Sequence, residues 1–170
     1  MLLDAFLPEH VTELAVDSIF MMPQLGVLST VHPRAAKEVF EKDCLIRLGS
    51  SVAPVGPGKE GTTMLRVSLE MPGGKKEEIT VPFGSLKLVP LPEGQTAKAM
   101  LRPEKSFDVG AGKGKEREVT LRGGVVGLIF DGRGRQPFGL PEDRIKRIAK
   151  LGEWNEALDI YPAVAEVVRS

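Results

Sequence analysis

No intrachain disulfide can form, because Cys44 is the only cysteine in 170 residues. A reducing compartment is the simple expectation. Neither sign of charge is in excess: 23 Lys+Arg stand against 23 Asp+Glu. The whole molecule therefore has no net field to gather polyanions, which disfavours a dedicated nucleic-acid binder. A single Trp and a single Tyr leave few polar-edged rings on which bases could stack. His10 and His32 are the only histidines, and neither stands at metal-ligand spacing from the other or from Cys44, so no metal site is expected. The apolar run from Ile19 to Leu28 is broken by Pro23, Gln24 and Gly26, far short of a spanning helix. The first residues lack a basic stretch followed by an apolar one, and Asp4 interrupts them, so no leader is read there. The expectation is a soluble, cytoplasmic protein with no membrane partner.

What is abundant is glycine (19) and proline (13), which favour many turns and short strands over a helical bundle. The length suits one compact domain. The stretch around which the chain is organised runs from Leu121 to Arg135. An apolar run from Val125 to Phe130 is preceded by Gly123-Gly124 and followed by Asp131-Gly132-Arg133-Gly134-Arg135. β-Branched and aromatic residues between glycines predict a buried strand. Gly127 inside it predicts a bend or a close backbone approach, and Asp131-Gly132 a tight turn.

Around this strand the chain divides into three segments. In residues 1–43 a short strand is expected over 11–17. Asp17 or Ser18 should cap a helical piece that Pro23 restarts, and a helix should begin at Pro33 with Ala36, Val39 and Phe40 inward. Residues 44–139 alternate with period two in several short runs. Leu65, Val67 and Leu69 share a face, and the turn at Pro72-Gly73-Gly74 joins two hairpin partners. The expected fold is α+β, mainly β: a small antiparallel β-barrel or barrel-sandwich with flanking helices, whose closure would hide its strand edges. In residues 140–170 an acid-rich start at Pro141-Glu142-Asp143 precedes a basic helix. Its stripe of Ile145, Ile148, Leu151, Trp154, Leu158 and Tyr161 should pack on the barrel.

Chemical signatures are sparse. The glycine-rich run from Gly110 to Lys115 fails as a phosphate loop. A Walker-type loop ending at Gly114-Lys115 needs glycine where Val109 stands and a hydroxyl where Glu116 stands, and a dinucleotide fingerprint would need glycine at Lys115. A basic hairpin loop is the plainer reading. Cys44 has no evident base beside it and reads as a small buried hydrophobe. The most informative polar residues are Asp131, Arg133 and Arg135. They form either a turn presenting a carboxylate and two guanidiniums to an anionic ligand or partner, together with Lys113 and Lys115, or a surface turn whose arginines stay solvated. Gly123, Gly124, Gly127, Gly132 and Gly134 are read as structural. No catalytic residue is nominated.

Several segments together resemble a known family. They are Leu48-Gly49 with Ala53-Pro54-Val55-Gly56, Val81-Pro82-Phe83-Gly84-Ser85-Leu86 and Pro90-Leu91-Pro92-Glu93-Gly94-Gln95, then Leu101-Arg102-Pro103, Asp108-Val109-Gly110-Ala111-Gly112 and Gly123 to Arg135, with Leu140-Pro141, Arg147 and Trp154. In that order they resemble the C-terminal region of glutamate mutase L, the accessory protein encoded beside coenzyme-B12-dependent glutamate (methylaspartate) mutase, unrelated to the mismatch-repair protein of similar name. Gly132 stands where the family pattern has alanine. Family members carry an N-terminal ATPase domain of the actin type, and nothing in these residues resembles its phosphate-binding hairpins. The resemblance therefore implies a non-catalytic accessory module whose partners are an actin-like ATPase domain, a cobalamin-dependent mutase or another copy of itself. ATP and cobalamin would enter only through those partners. The alternative is a β-barrel that binds a small anionic ligand.

Overall fold

A computed structural model describes residues 2–135 and 140–158. Its core is two four-stranded sheets, ordered β1-β2-β8-β5 and β4-β3-β6-β7. The strands are β1 (His10–Asp17), β2 (Leu45–Ala53), β3 (Thr63–Glu70), β4 (Lys76–Pro82), β5 (Leu86–Val89), β6 (Thr96–Pro103), β7 (Arg117–Arg122) and β8 (Gly127–Asp131). Four helices flank them: α1 (Leu2–Phe6), α2 (Met22–Ser29), α3 (Pro33–Val39), which runs into a π-helical turn at Phe40–Cys44, and α4 (Arg144–Leu158).

The second sheet forms as its sequence dictates. Leu65, Val67 and Leu69 of β3 are buried beside Val81 of β4 and Ala97, Ala99 and Leu101 of β6. Arg66, Glu70, Lys98 and Arg102 on the same strands are exposed. This period-two pattern holds the register, because a slip of one residue would turn every apolar side chain to water. Each neighbouring pair in this sheet is antiparallel.

The first sheet departs from expectation. β2 pairs with β8 in parallel, Gly49 opposite Gly127 through Val52 opposite Phe130, so the strands are not all antiparallel. Nor does the structure close into a barrel: the two sheets stay separate and share one core. The physical reason lies at Gly123-Gly124, where the chain leaves one sheet for the other. A Cβ on Gly123 would lie 2.2 Å from the Pro92 carbonyl oxygen, and one on Gly124 would lie 2.4 Å from the Gly49 nitrogen. Three backbone segments cross there, and the Gly123 and Gly124 N–H groups donate to the Gln95 and Leu91 carbonyls, both at 2.9 Å, before Val125 and Val126 donate to Arg47 and Leu48 of β2. Beside this switch the Ser50 hydroxyl accepts from the Arg122 N–H and donates to the Arg122 carbonyl, both at 2.9 Å. A side chain thus adds to the backbone bonds by which the chain passes from one sheet to the other.

β8 is buried along its whole length, as its apolar run predicts. Leu128 and Phe130 face the core between the sheets. Ile129 faces the other way, into a second cluster with Leu3 of α1, Leu86 of β5, and Trp154, Ala157 and Leu158 of α4. β8 is thus the middle layer of three. Gly127, at φ +100°, brings its backbone against Val89, where a Cβ would meet the Val89 carbonyl oxygen at 2.6 Å, the close approach expected of a glycine inside a strand. Gly132 acts differently from expectation. Its φ is not positive, and it is required because a Cβ would sit 2.5 Å from the Pro82 carbonyl oxygen. Gly134 supplies the positive φ of the turn instead.

Two helical expectations are corrected. On α4 the packed side chains are Trp154, Ala157 and Leu158, whereas Ile145, Ile148 and Leu151 are exposed. Successive residues of the proposed stripe fall on different sides of the helix, and only its C-terminal part meets the sheet. Tyr161 lies outside the described residues. On α3, Ala36 is buried but Val39 is exposed.

Candidate functional site

The end of β8 carries the charged motif, and its fate is decided by burial. The Asp131 side chain is fully buried, and those of Arg133 and Arg135 are each 5% exposed. Asp131 Oδ1 accepts from the Arg133 N–H at 3.1 Å and from Arg133 Nε at 2.9 Å, and Oδ2 accepts from Arg133 Nη2 at 2.9 Å and Arg135 Nη1 at 3.2 Å. The fork of Arg133 therefore grips both carboxylate oxygens, the geometry for which arginine is suited. Burial works against the charge of Arg133, and Asp131 and Asp4 outweigh it, so its pKa is raised.

The same two arginines reach outward to the flanking helices. Arg133 Nη1 donates to Asp4 of α1 at 2.8 Å, and Arg135 Nε donates to the Pro8 carbonyl at 2.7 Å. Burial acts to raise the Asp4 pKa, but Arg133 prevails and holds it below the usual carboxylate range. From the other side, the Arg133 guanidinium lies 5.1 Å from the ring centroid of Trp154, whose Nε1 donates to the Gly84 carbonyl at 2.8 Å. Asp131, Arg133 and Arg135 are thus not a solvated turn: their charged groups are buried and engaged with one another and with Asp4. They form an internal knot that ties α1 and α4 to the sheet. Nη2 of Arg135 is the one guanidinium nitrogen left buried without a partner among the described residues.

The glycine-rich loop is likewise occupied from within. Asp108 Oδ1 accepts from the N–H groups of Gly110 at 2.6 Å, Ala111 at 3.1 Å and Gly112 at 2.9 Å. Successive amides pointing at one anion make a nest of the kind that holds phosphate elsewhere, but here the chain's own carboxylate fills it. The amides of Gly110 and Gly112 lower the Asp108 pKa most, against the effect of its burial. Lys113 and Lys115 are exposed at the tip of this loop, and among the described residues no hydrogen bond joins them to Arg133 or Arg135.

The remaining candidates fall where their residue types suggest. Cys44 is buried with Leu25 and Ala36, and burial, with Asp17 and Asp43 nearby, pushes its thiol pKa up, away from a nucleophilic thiolate. His32 stands exposed at the start of α3. Among the described residues no group of three or more His, Cys, Asp or Glu side chains is placed to hold a metal, and no helix is long and apolar enough to cross a membrane.

A feature that motif reading missed lies on α2. The expected helical piece capped by Asp17 or Ser18 ahead of Pro23 is absent, since α2 begins at Met22 with Met21 as its N-cap. Asp17 instead accepts from the N–H groups of Ile19, Met21 and Met22 at 3.2–3.4 Å and closes the turn before the helix. In doing so it holds Phe20 at φ +54° with its ring 82% exposed. A non-glycine residue in that region of φ is uncommon. Ile19, Met22, Val27 and Val31 are also exposed, and only histidine among titratable residues occurs between Asp17 and Arg34. The inner face of the α2–α3 pair makes its own small core of Leu25, Ala36 and Cys44. The signal was present in the sequence as an uncharged apolar run, which core packing explains equally well. Compared with protein-family models, with curated proteins and with solved structures, the chain finds no match.

Proposed function

We propose that this protein is a non-catalytic accessory module that binds a partner protein through the outer face of α2. The observation that carries this reading is the number of large apolar side chains left exposed on and beside α2, namely Ile19, Phe20, Met22, Val27 and Val31, because exposed apolar surface gathered in one region marks interaction sites. Phe20 is the anchor: aromatic side chains dominate interface energetics, and its ring is held outward by a capped turn. The charged residues that would otherwise suggest chemistry are engaged with one another. The resemblance to the C-terminal region of glutamate mutase L supplies the class of partner, an actin-like ATPase domain or the cobalamin-dependent mutase. ATP and cobalamin chemistry would belong to those partners.

The test is co-purification of the chain with the actin-like ATPase domain and, separately, with the mutase. One of them should be retained by the native chain and lost by a Phe20→Asp/Val27→Asp double variant whose thermal midpoint is unchanged. Equal retention by the double variant would contradict the reading, as would turnover by the isolated chain that one side-chain change abolishes.

A further inference from the structure

Where α4 passes Gly84, Lys150 is held in an unequal ion pair. Its side chain is 19% exposed, whereas that of Glu60, which it meets at 2.6 Å, is 67% exposed. Glu153 adds a longer contact at 3.2 Å from the same helix. Burial opposes the charge on Lys150, and the two carboxylates outweigh it, so the ammonium persists. The cation is the enclosed member, and Glu60, on the loop between β2 and β3, is the one in water. An exposed carboxylate contributes little to such a pair and leaves it without stranding itself in a dry site.

Beside the pair is a cavity of about 90 Å³, walled in part by the rings of Phe83 and Trp154 and by the side chains of Arg133 and Lys150. Glu60 is the one carboxylate on its lining among the described residues. The Trp154 centroid is 5.1 Å from the Arg133 guanidinium and 6.0 Å from Lys150 Nζ. The indole is fixed by its bond to the Gly84 carbonyl. The Arg133 guanidinium is engaged by Asp131 and Asp4, so Lys150 is the cation that faces this space between aromatic residues.

We propose that this cavity binds a small oxyanion, a carboxylate or phosphate group, which displaces Glu60 from the Lys150 ammonium. The space admits such a headgroup and little more, far below the size of a drug-like pocket. Glu60 then acts as an internal competitor that keeps Lys150 paired while the site is empty of ligand. This site is separate from the α2 face and does not depend on it.

Trp154 is the only tryptophan, so fluorescence excited beyond the absorption of the single tyrosine reports the surroundings of this side chain, the cavity among them. The full chain is titrated with sodium acetate and with inorganic phosphate, ionic strength being held constant with sodium chloride to remove screening effects. At least one anion should give a saturable change, and which one saturates separates a carboxylate ligand from a phosphate. Glu60→Gln should tighten that binding a few-fold, since it removes the competing occupied state of a weak, exposed pair. Lys150→Met should abolish it and Lys150→Arg should keep it, which separates loss of charge from loss of fold. The proposal is overturned by changes that only track sodium chloride, by Lys150→Met titrating like the native chain, or by Glu60→Gln binding no more tightly.

Discussion

The two ends of this molecule treat polarity in opposite ways. At the end of β8, Asp131, Arg133 and Arg135 carry full charges and are withdrawn from water. On and beside α2, Phe20, Val27 and Val31 carry no charge and are left in water. The first region resembles a functional motif and is consumed by the fold, whereas the second resembles core and is unused by it. The difference teaches that satisfaction of a group, more than its type, separates a structural residue from one available for contact. Every oxygen of Asp131 has a donor, while the outer face of α2 has no packing partner within the described chain.

The largest expected effect tests the charged end. Asp131→Ala strands two buried guanidiniums, and removing one partner of a buried ion pair costs about 3–5 kcal/mol. Urea denaturation should therefore show a loss of that size. If the motif were a solvated turn, the change would fall within about 0.5 kcal/mol, as at ordinary surface sites.

A smaller effect, and one tied to pH, is expected at Asp108. Its folded pKa is lowered by the amides of Gly110 and Gly112, so the carboxylate stabilises the fold above its ordinary pKa. That contribution fades as pH falls through the depressed folded value. The stability difference between the native chain and Asp108→Ala should thus shrink as pH is lowered from near neutral to below the ordinary carboxylate range. A difference that grows on acidification would contradict the role assigned to the nest.

The smallest effect is expected on α2. The Phe20→Asp/Val27→Asp variant should change stability by less than about 0.5 kcal/mol, because neither side chain packs in the core. A loss comparable to that of Asp131→Ala would mean that this face is covered within the folded chain, and the contrast between the two regions would fail.

Much of the second sheet was legible in the sequence. In β3, β4, β6 and β7 one face is buried and the other wet, so the alternation writes the strand and its register together. The parallel pairing of β2 with β8 was not legible. β8 is buried on both faces, and a continuous apolar run contains no alternation from which direction or neighbour can be inferred. Barrel and sandwich could not be told apart in the sequence, since the choice depends on the crossing at Gly123-Gly124, and close approach between segments distant in sequence leaves only glycines as a trace. On α4 the apolar residues outnumber those the sheet covers, so helical spacing alone does not separate the exposed Ile145 and Ile148 from the packed Trp154 and Leu158. The importance of Asp131, Arg133 and Arg135 was visible, but their burial was not. Asp4 and Trp154, which enclose Arg133 from either side, belong to the two ends of the chain, and no local spacing connects them. The pairing of Glu60 with Lys150 was hidden for the same reason.

The central claim is that the charged end of β8 fastens the flanking helices to the sheet. Hydrogen exchange of Arg133→Met against the native chain tests it most directly, since amide protection reports local opening element by element. The account predicts that α1 and the Trp154 end of α4 lose protection while β3 and β6 keep theirs. Unchanged protection in both helices would contradict it.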